Sequence, residues 1–369
     1  MVSEGNGVIT GREADPGEGG SRPVRVVIAS PLPEELCASI ASAVPGAEVV
    51  RRQELYPPMR FPADHAGDPG FTRSEREQRE FEEMVDTADV LYGIPDVSPE
   101  ALRRTVRANG RLRWVQTMAA GGGSQVKAAG LTGEELERVR FTTSAGVHGE
   151  PLAEFALFGV LAGAKNLPRL AADQRERHWP RERWFMGQLS EMTVLILGLG
   201  GIGRTAARKF GALGATVWGT SRSGRPVESV DRIVSLDELE DVIGEVDAVV
   251  VTLPGTEATE GLLDAGLLAA CAPGVTIVNV GRGSVIDEPA LLEALDEGRV
   301  GFAALDVTAR EPLPEQSPLW GHPRALISPH TAAQSEHEQR RITELFIRNL
   351  EAFMAGEPME NVVDTVEFY

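Results

Sequence analysis

The chain has 369 residues, 42% of them hydrophobic and 25% charged, with a formal net charge of -19; this length accommodates two domains with separate cores. The acidic balance excludes nucleic acid and anionic membranes as natural partners, since both are held by clustered Lys and Arg. No apolar run reaches membrane-spanning length and no basic-then-apolar signal opens the chain, which points to the cytoplasm.

Residues 1–22, rich in Gly, Glu and Ser, read as a disordered leader. From Pro23 short β-rich runs alternate with helical patterns: strands at 24–30, 47–51, 89–93 and 113–118, helices at 34–44 and 99–109. This α/β alternation predicts parallel pairing. Between them, 56–76 is rich in Pro, Gly and charge and reads as a long surface loop, a length compact domains seldom carry without a use, here lining or covering a cleft. An apolar helix follows at 150–164, then a polar stretch, 165–187, with two Arg-Glu-Arg clusters each closely followed by a tryptophan.

The second series begins at Met192 with MTVLILGLGGIG, an apolar strand that empties into Gly198, Gly200, Gly201, Ile202 and Gly203. A helix is expected over 204–213 and a second strand over 215–219, the opening of a βαβ unit. Glycines here permit a tight turn and close backbone approach, and the following helix N-terminus offers N–H groups to a pyrophosphate. NAD sites usually place a carboxylate at the end of the second strand; here stand Thr220, Ser221, Arg222 and Ser223, which suit a 2′-phosphate. NADP is therefore the expected cofactor, with NAD still open. Further strands are expected at 248–253, 275–280, 301–307 and 325–328, and helices at 237–243, 288–296 and 339–354, the last returning the chain to the first domain.

Three strand ends carry polar residues where open α/β sheets bind ligands. Arg282 lies between glycines and suits bidentate grip of a carboxylate; a surface ion pair is the plain alternative. Glu311 follows the next strand, suited to orienting a histidine or else a solvated loop charge. His330 follows the last strand, as an acid–base group or else a helix cap or a satisfied core histidine. The two cysteines, Cys37 and Cys271, read as reduced core residues, and His65, His178, His322 and His337 lack metal-ligand spacing, so no metal site is expected. His148 reads either as a helix cap or as a residue near a cleft.

Read in order, GLGGIG at Gly198, NVGRGSVIDEPALLEAL at Asn279, ALDVTAREPLPEQSPLW at Ala304 and SPHTAAQS at Ser328 resemble the D-isomer-specific 2-hydroxyacid dehydrogenases. The resemblance implies a Rossmann dinucleotide-binding domain, 144–335, inserted into a smaller flavodoxin-like α/β substrate domain, 23–143 with 336–369, with a cleft between them and a homodimer formed near Glu150. It implies catalysis by Arg282, Glu311 and His330, and substrate contact by Arg282 and by the backbone of Ala119, Ala120 and Gly121, where the run of glycines at 121–123 departs from the family pattern. It places Leu253, Pro254 and Thr256 on the adenosine or phosphate side of the cofactor. Asp306 falls at the nicotinamide carboxamide, and Val280, Gly281 and His330 complete the cofactor set. The implied reaction is hydride transfer between NAD(P)H and a small 2-oxo acid of the glyoxylate or hydroxypyruvate type. A bulkier 2-oxo acid, and a dinucleotide-sensing or corepressor-like protein of the same fold without turnover, stay open as alternatives.

Overall fold

The computed structural model describes residues 9–10, 22–366 and 368. They form two units, one within Met1–Val147 and Ser335–Tyr369, the other His148–Gln334. The changes of unit fall at 147/148 and 334/335, against boundaries expected at 143/144 and 335/336.

In the first unit the strands are β1 (Ile9–Thr10), β2 (Val24–Ile28), β3 (Ala47–Val50), β4 (Val90–Tyr92), β5 (Trp114–Gln116) and β6 (Arg140–Thr142), in the order β1-β3-β2-β4-β5-β6. From β3 to β6 all neighbours are parallel, the flavodoxin-like order, with its ligand edge at the carboxyl ends of the strands. Val26, Val27 and Ile28 are buried in succession, because helices cover both faces of a parallel sheet. Helix Glu338–Ala355 packs Ile342, Leu345, Phe346 and Leu350 into this core, and Phe346 stacks on Trp114 with ring centroids 4.9 Å apart.

Two expectations change here. Ile9–Thr10, inside the stretch expected to be a disordered leader, pairs antiparallel with β3; apart from these and Arg22, the leader lies outside the described residues. The loop expected over 56–76 ends earlier, because Ser74 and Glu77 form a capping box that starts helix Glu75–Val85. The remaining loop is tied to itself: Arg60 grips Asp64 through Nε at 2.7 Å and Nη2 at 3.0 Å, which holds that carboxyl below its ordinary range.

The second unit carries β7 (Thr193–Leu197), β8 (Thr216–Thr220), β9 (Arg232–Val234), β10 (Ala248–Val251), β11 (Val275–Asn279), β12 (Val300–Leu305) and β13 (Ala325–Ile327). Their order is β13-β12-β11-β10-β7-β8-β9, parallel throughout. Counted from β7 this is the doubly wound 3-2-1-4-5-6 order with one strand added, and the order reverses between β7 and β10. Loops leaving the carboxyl ends of β7, β8, β10, β11, β12 and β13 therefore all emerge along one edge.

Candidate functional site

The glycine turn leaves β7 at the point of reversal. Gly198 has φ +102°, a conformation that favours glycine, and a Cβ on Gly203 would lie 2.0 Å from the Gly198 carbonyl oxygen. Two hydroxyls from neighbouring strand ends fasten the turn: Gly198 N–H donates to Thr220 Oγ1 at 2.8 Å, and Thr252 Oγ1 donates to the Gly198 carbonyl at 2.5 Å. Helix Gly201–Ala212 then starts with Gly200 as N-cap and no side-chain capping bond. Gly200 and Gly201 are exposed, and a Cβ on Gly200 would meet no protein atom within 4 Å. An uncapped helix start with an open approach over glycine fits a pyrophosphate.

At the end of β8 the strand runs one residue further than expected, to Thr220. Thr220 is 3% exposed and its hydroxyl is the acceptor for Gly198, so its side chain shapes the turn and does not stand open to a 2′-phosphate. The next residues do face outward. Ser221 and Ser223 bring their hydroxyls within 3.1 Å of each other around the exposed Arg222, and Arg225, which sequence reading passed over, adds a second exposed guanidinium. No carboxylate occurs from 220 to 227. Beyond β10, Leu253 is half-buried while Pro254 and Thr256 are exposed; the loop is held by buried Thr259, whose Oγ1 donates to Pro254 O at 2.6 Å and lies 2.9 Å from the Thr256 N–H. Val280 is 2% exposed with its side chain in the core, and Gly281 is buried as well, so Val280 can meet a ligand only through its backbone.

Arg282, Glu311 and His330 occupy the loops after three adjacent strands, β11, β12 and β13. A Cβ on Gly281 would lie 2.5 Å from Leu253 O, and one on Gly283 would lie 1.9 Å from the Thr308 carbonyl carbon; close backbone approach on both sides explains the glycines that flank Arg282. Arg282 is exposed, and its Nη1 donates to Gly281 O at 2.7 Å. Among the described residues no carboxylate pairs with it, so the surface ion pair is not formed and most guanidinium donors face outward.

Glu311 Oε2 lies 2.7 Å from His330 Nδ1, and its Oε1 accepts the Thr308 N–H at 3.2 Å. With Nδ1–H donating to the carboxylate, Nε2 is the ring nitrogen left for chemistry. Both side chains are partly open, 49% for His330 and 38% for Glu311, as a group that meets substrate must be. His330 has φ +55°, which costs a non-glycine residue roughly 1–2 kcal/mol. The neighbourhood fixes it there. The His330 N–H donates to Asp306 O and Ser328 O, both at 2.9 Å. Asp306 is 2% exposed, and its Oδ1 accepts Ser328 Oγ at 2.6 Å and the N–H groups of Thr331 and Ala332 at 2.9 Å each.

In the first unit, Ala119, Ala120 and Gly121 are exposed just beyond β5. Gly122 N–H and Ser144 N–H both donate to Ala119 O, at 3.2 and 3.3 Å, which directs that carbonyl inward. A Cβ on Gly122 would lie 1.8 Å from Thr117 Oγ1, so the glycine run is a packing requirement at its second position. His148 is the N-cap residue of helix Gly149–Ala164 and makes no side-chain capping bond. No group of three or more His, Cys, Asp or Glu with metal-holding geometry occurs among the described residues.

Sequence reading missed Thr252 and Asn279, whose side chains fasten the loops without facing outward. Thr252 stands just past an apolar strand, a position that signals a strand end; Asn279 is polar in an otherwise apolar run, which is the stronger signal.

The sequence model for the NAD binding domain of D-isomer specific 2-hydroxyacid dehydrogenases matches residues 157–332. The chain is 32% identical over 225 residues to glyoxylate/hydroxypyruvate reductase A of Serratia proteamaculans, covering 60% of this chain and 69% of that protein. It is 34% identical over 212 residues to D-3-phosphoglycerate dehydrogenase of Mycobacterium tuberculosis, covering 58% of this chain but only 40% of the relative. Among solved structures, the NADPH-dependent glyoxylate/hydroxypyruvate reductase of Sinorhizobium meliloti, in complex with NADP and sulfate, matches with a TM-score of 0.71 at 27% identity, over 94% of this chain and 100% of that one.

Proposed function

The chain belongs to the D-isomer-specific 2-hydroxyacid dehydrogenase family, NAD(P)-dependent oxidoreductases acting on CH–OH groups, and from that premise we propose that it reduces a small 2-oxo acid of the glyoxylate or hydroxypyruvate type with NADPH. The observation that carries the reading is the 2.7 Å contact between Glu311 and His330 Nδ1, on the sheet edge that also bears the open glycine turn. When bound, the dihydronicotinamide supplies hydride to the keto carbon. His330, as imidazolium, gives its Nε2 proton to the carbonyl oxygen, a general-acid contribution of roughly 10²–10⁴-fold. Glu311 holds the ring in orientation through its contact with Nδ1. Arg282 binds the substrate carboxylate and stabilises the charge that grows on the carbonyl oxygen; in the first unit, the family resemblance assigns substrate contact to the backbone amides of Ala119, Ala120 and Gly121.

The preference for NADPH rests on the turn at 221–225, with two guanidiniums and no carboxylate. The relatives named above support the small substrate, the mycobacterial enzyme being the one that favours a phosphorylated alternative. We assign the protein to the cytoplasm, where two buried free thiols suit the reducing conditions; recovery of the native protein in an oxidising compartment would remove that assignment. We also propose a homodimer through the surface of the second unit where Phe158, Trp179 and Phe185 are 47%, 92% and 101% exposed, since apolar exposure of this kind marks an interface. The test of function is kcat/KM for NADPH and NADH with glyoxylate, hydroxypyruvate, phenylpyruvate and 3-phosphohydroxypyruvate. Highest values with NADPH and the two small acids are expected. A clear NADH preference overturns the cofactor assignment, and absence of turnover across the panel overturns the reaction.

A further inference from the structure

Asn279 is the last residue of β11 and 1% exposed, a place where an unpaired amide would be costly. Its side chain spans the adjoining loop at both of its polar atoms. Oδ1 accepts the Gly281 N–H at 3.0 Å, and Nδ2 donates to the Arg282 carbonyl at 3.0 Å. The backbone of Asn279 also reaches toward the histidine: its carbonyl accepts the Asp306 N–H at 3.0 Å, and the Asp306 carbonyl in turn accepts the His330 N–H at 2.9 Å. One buried residue thus braces the loop of Arg282 through its side chain while its main chain leads to the turn of His330.

We propose that Asn279 is a positioning residue: its carboxamide sets the direction of Arg282 and so determines how tightly the substrate carboxylate is held. The inference rests on the reading that Arg282 binds that carboxylate. Among the described residues Arg282 has no ion-pair partner to aim it, and its Nη1 bonds only to the neighbouring Gly281 carbonyl, so its orientation follows that of the loop that the backbone clamp and the flanking glycines hold. Removing the clamp lets the loop turn about those glycines and moves the guanidinium at the end of a long side chain, and displacements near 1 Å in a binding group change rates by up to about 10²-fold.

The experiment is a double-mutant cycle of Asn279→Ala and Arg282→Ala, measured as KM and kcat for glyoxylate with NADPH, together with the NADPH Kd. Asn279→Ala is expected to raise the glyoxylate KM about tenfold, to leave the NADPH Kd within about twofold, and to add nothing in the Arg282→Ala background, because two changes acting through one group do not add. A merely structural role lowers the active fraction, and with it kcat, without moving KM. Asn279→Asp, of the same size, keeps the acceptor for Gly281 but sets an oxygen against the Arg282 carbonyl. It is expected to raise KM as well, and it decides the matter where the alanine variant does not fold. An unchanged KM in the folded variant, or a full further rise in the Arg282→Ala background, overturns the positioning role. An unchanged KM in Arg282→Ala alone instead overturns the reading of Arg282 on which it rests.

Discussion

Replacing Glu311 by Gln keeps the length of the side chain and an oxygen opposite His330 Nδ1, while removing the charge from a 2.7 Å contact. A hydrogen bond to a charged group contributes about 1.5–3 kcal/mol and a neutral one about 0.5–1.5 kcal/mol, so the charge itself is worth about 1–1.5 kcal/mol in a protected site. With side chains 49% and 38% exposed, solvent screening brings this to about 1 kcal/mol, a loss of about fivefold in kcat/KM. His330→Asn supplies the other limit. Asparagine tolerates the positive φ of that position but carries no titratable proton, so turnover should fall by roughly 10²–10⁴-fold with little change in NADPH affinity. The assay is loss of NADPH absorbance with glyoxylate at saturating cofactor, with Kd from NADPH fluorescence. Should Glu311→Gln match the loss of His330→Asn, the carboxylate would be moving the proton itself; should it leave kcat/KM at the native value, the ring would not depend on its charge. Either result refutes the division of roles.

Other consequences concern the scaffold. Gly203→Ala puts a methyl 2.0 Å from Gly198 O, so NADPH Kd should rise at least tenfold and thermal stability should fall by about 1–3 kcal/mol; native values for both would deny the packing of the turn. The double variant Trp179→Glu, Phe185→Glu should shift the mass seen by light scattering from dimer to monomer, and an unchanged mass would remove that surface as the interface. Burial pushes the Cys37 thiol up to about 12 and that of Cys271 up to about 11. Neither should react with a disulfide reagent at pH 8 before unfolding. Because the unfolded chain ionises its thiols first, their contribution to stability is complete below pH 9 and declines as pH rises above it; a denaturation midpoint that climbs over pH 9–11 in the native protein but not in a Cys37→Ala, Cys271→Ala variant would contradict this.

What could be read from the residues follows a physical division. β7 and the glycine turn announce themselves because a strand, a turn and a helix start are all local, and Arg282, Glu311 and His330 stand in the loops that follow three successive apolar runs. Thr220 was misjudged for a reason sequence does not hold: its partner, the Gly198 N–H, is 22 residues away, and that bond turns the hydroxyl inward. Helix Glu75–Val85 escaped because only Phe81, Met84 and Val85 are buried in a charged segment, although Ser74 and Glu77 were a readable start signal. Helix Leu167–Glu176 buries no residue at all, so no apolar stripe marks it. β6 and β9 have three residues each and open on an exposed arginine, so no apolar run marks them.

The central claim is that the guanidinium of Arg282 and the imidazole of His330 serve one bound 2-oxo acid. A crystal structure of the protein with NADPH and oxamate, an unreactive analogue of such acids, tests it directly. The account predicts the oxamate carboxylate in contact with Arg282 and its amide carbonyl oxygen within hydrogen-bond reach of His330 Nε2. Oxamate bound away from either residue, beside an ordered cofactor, would contradict it.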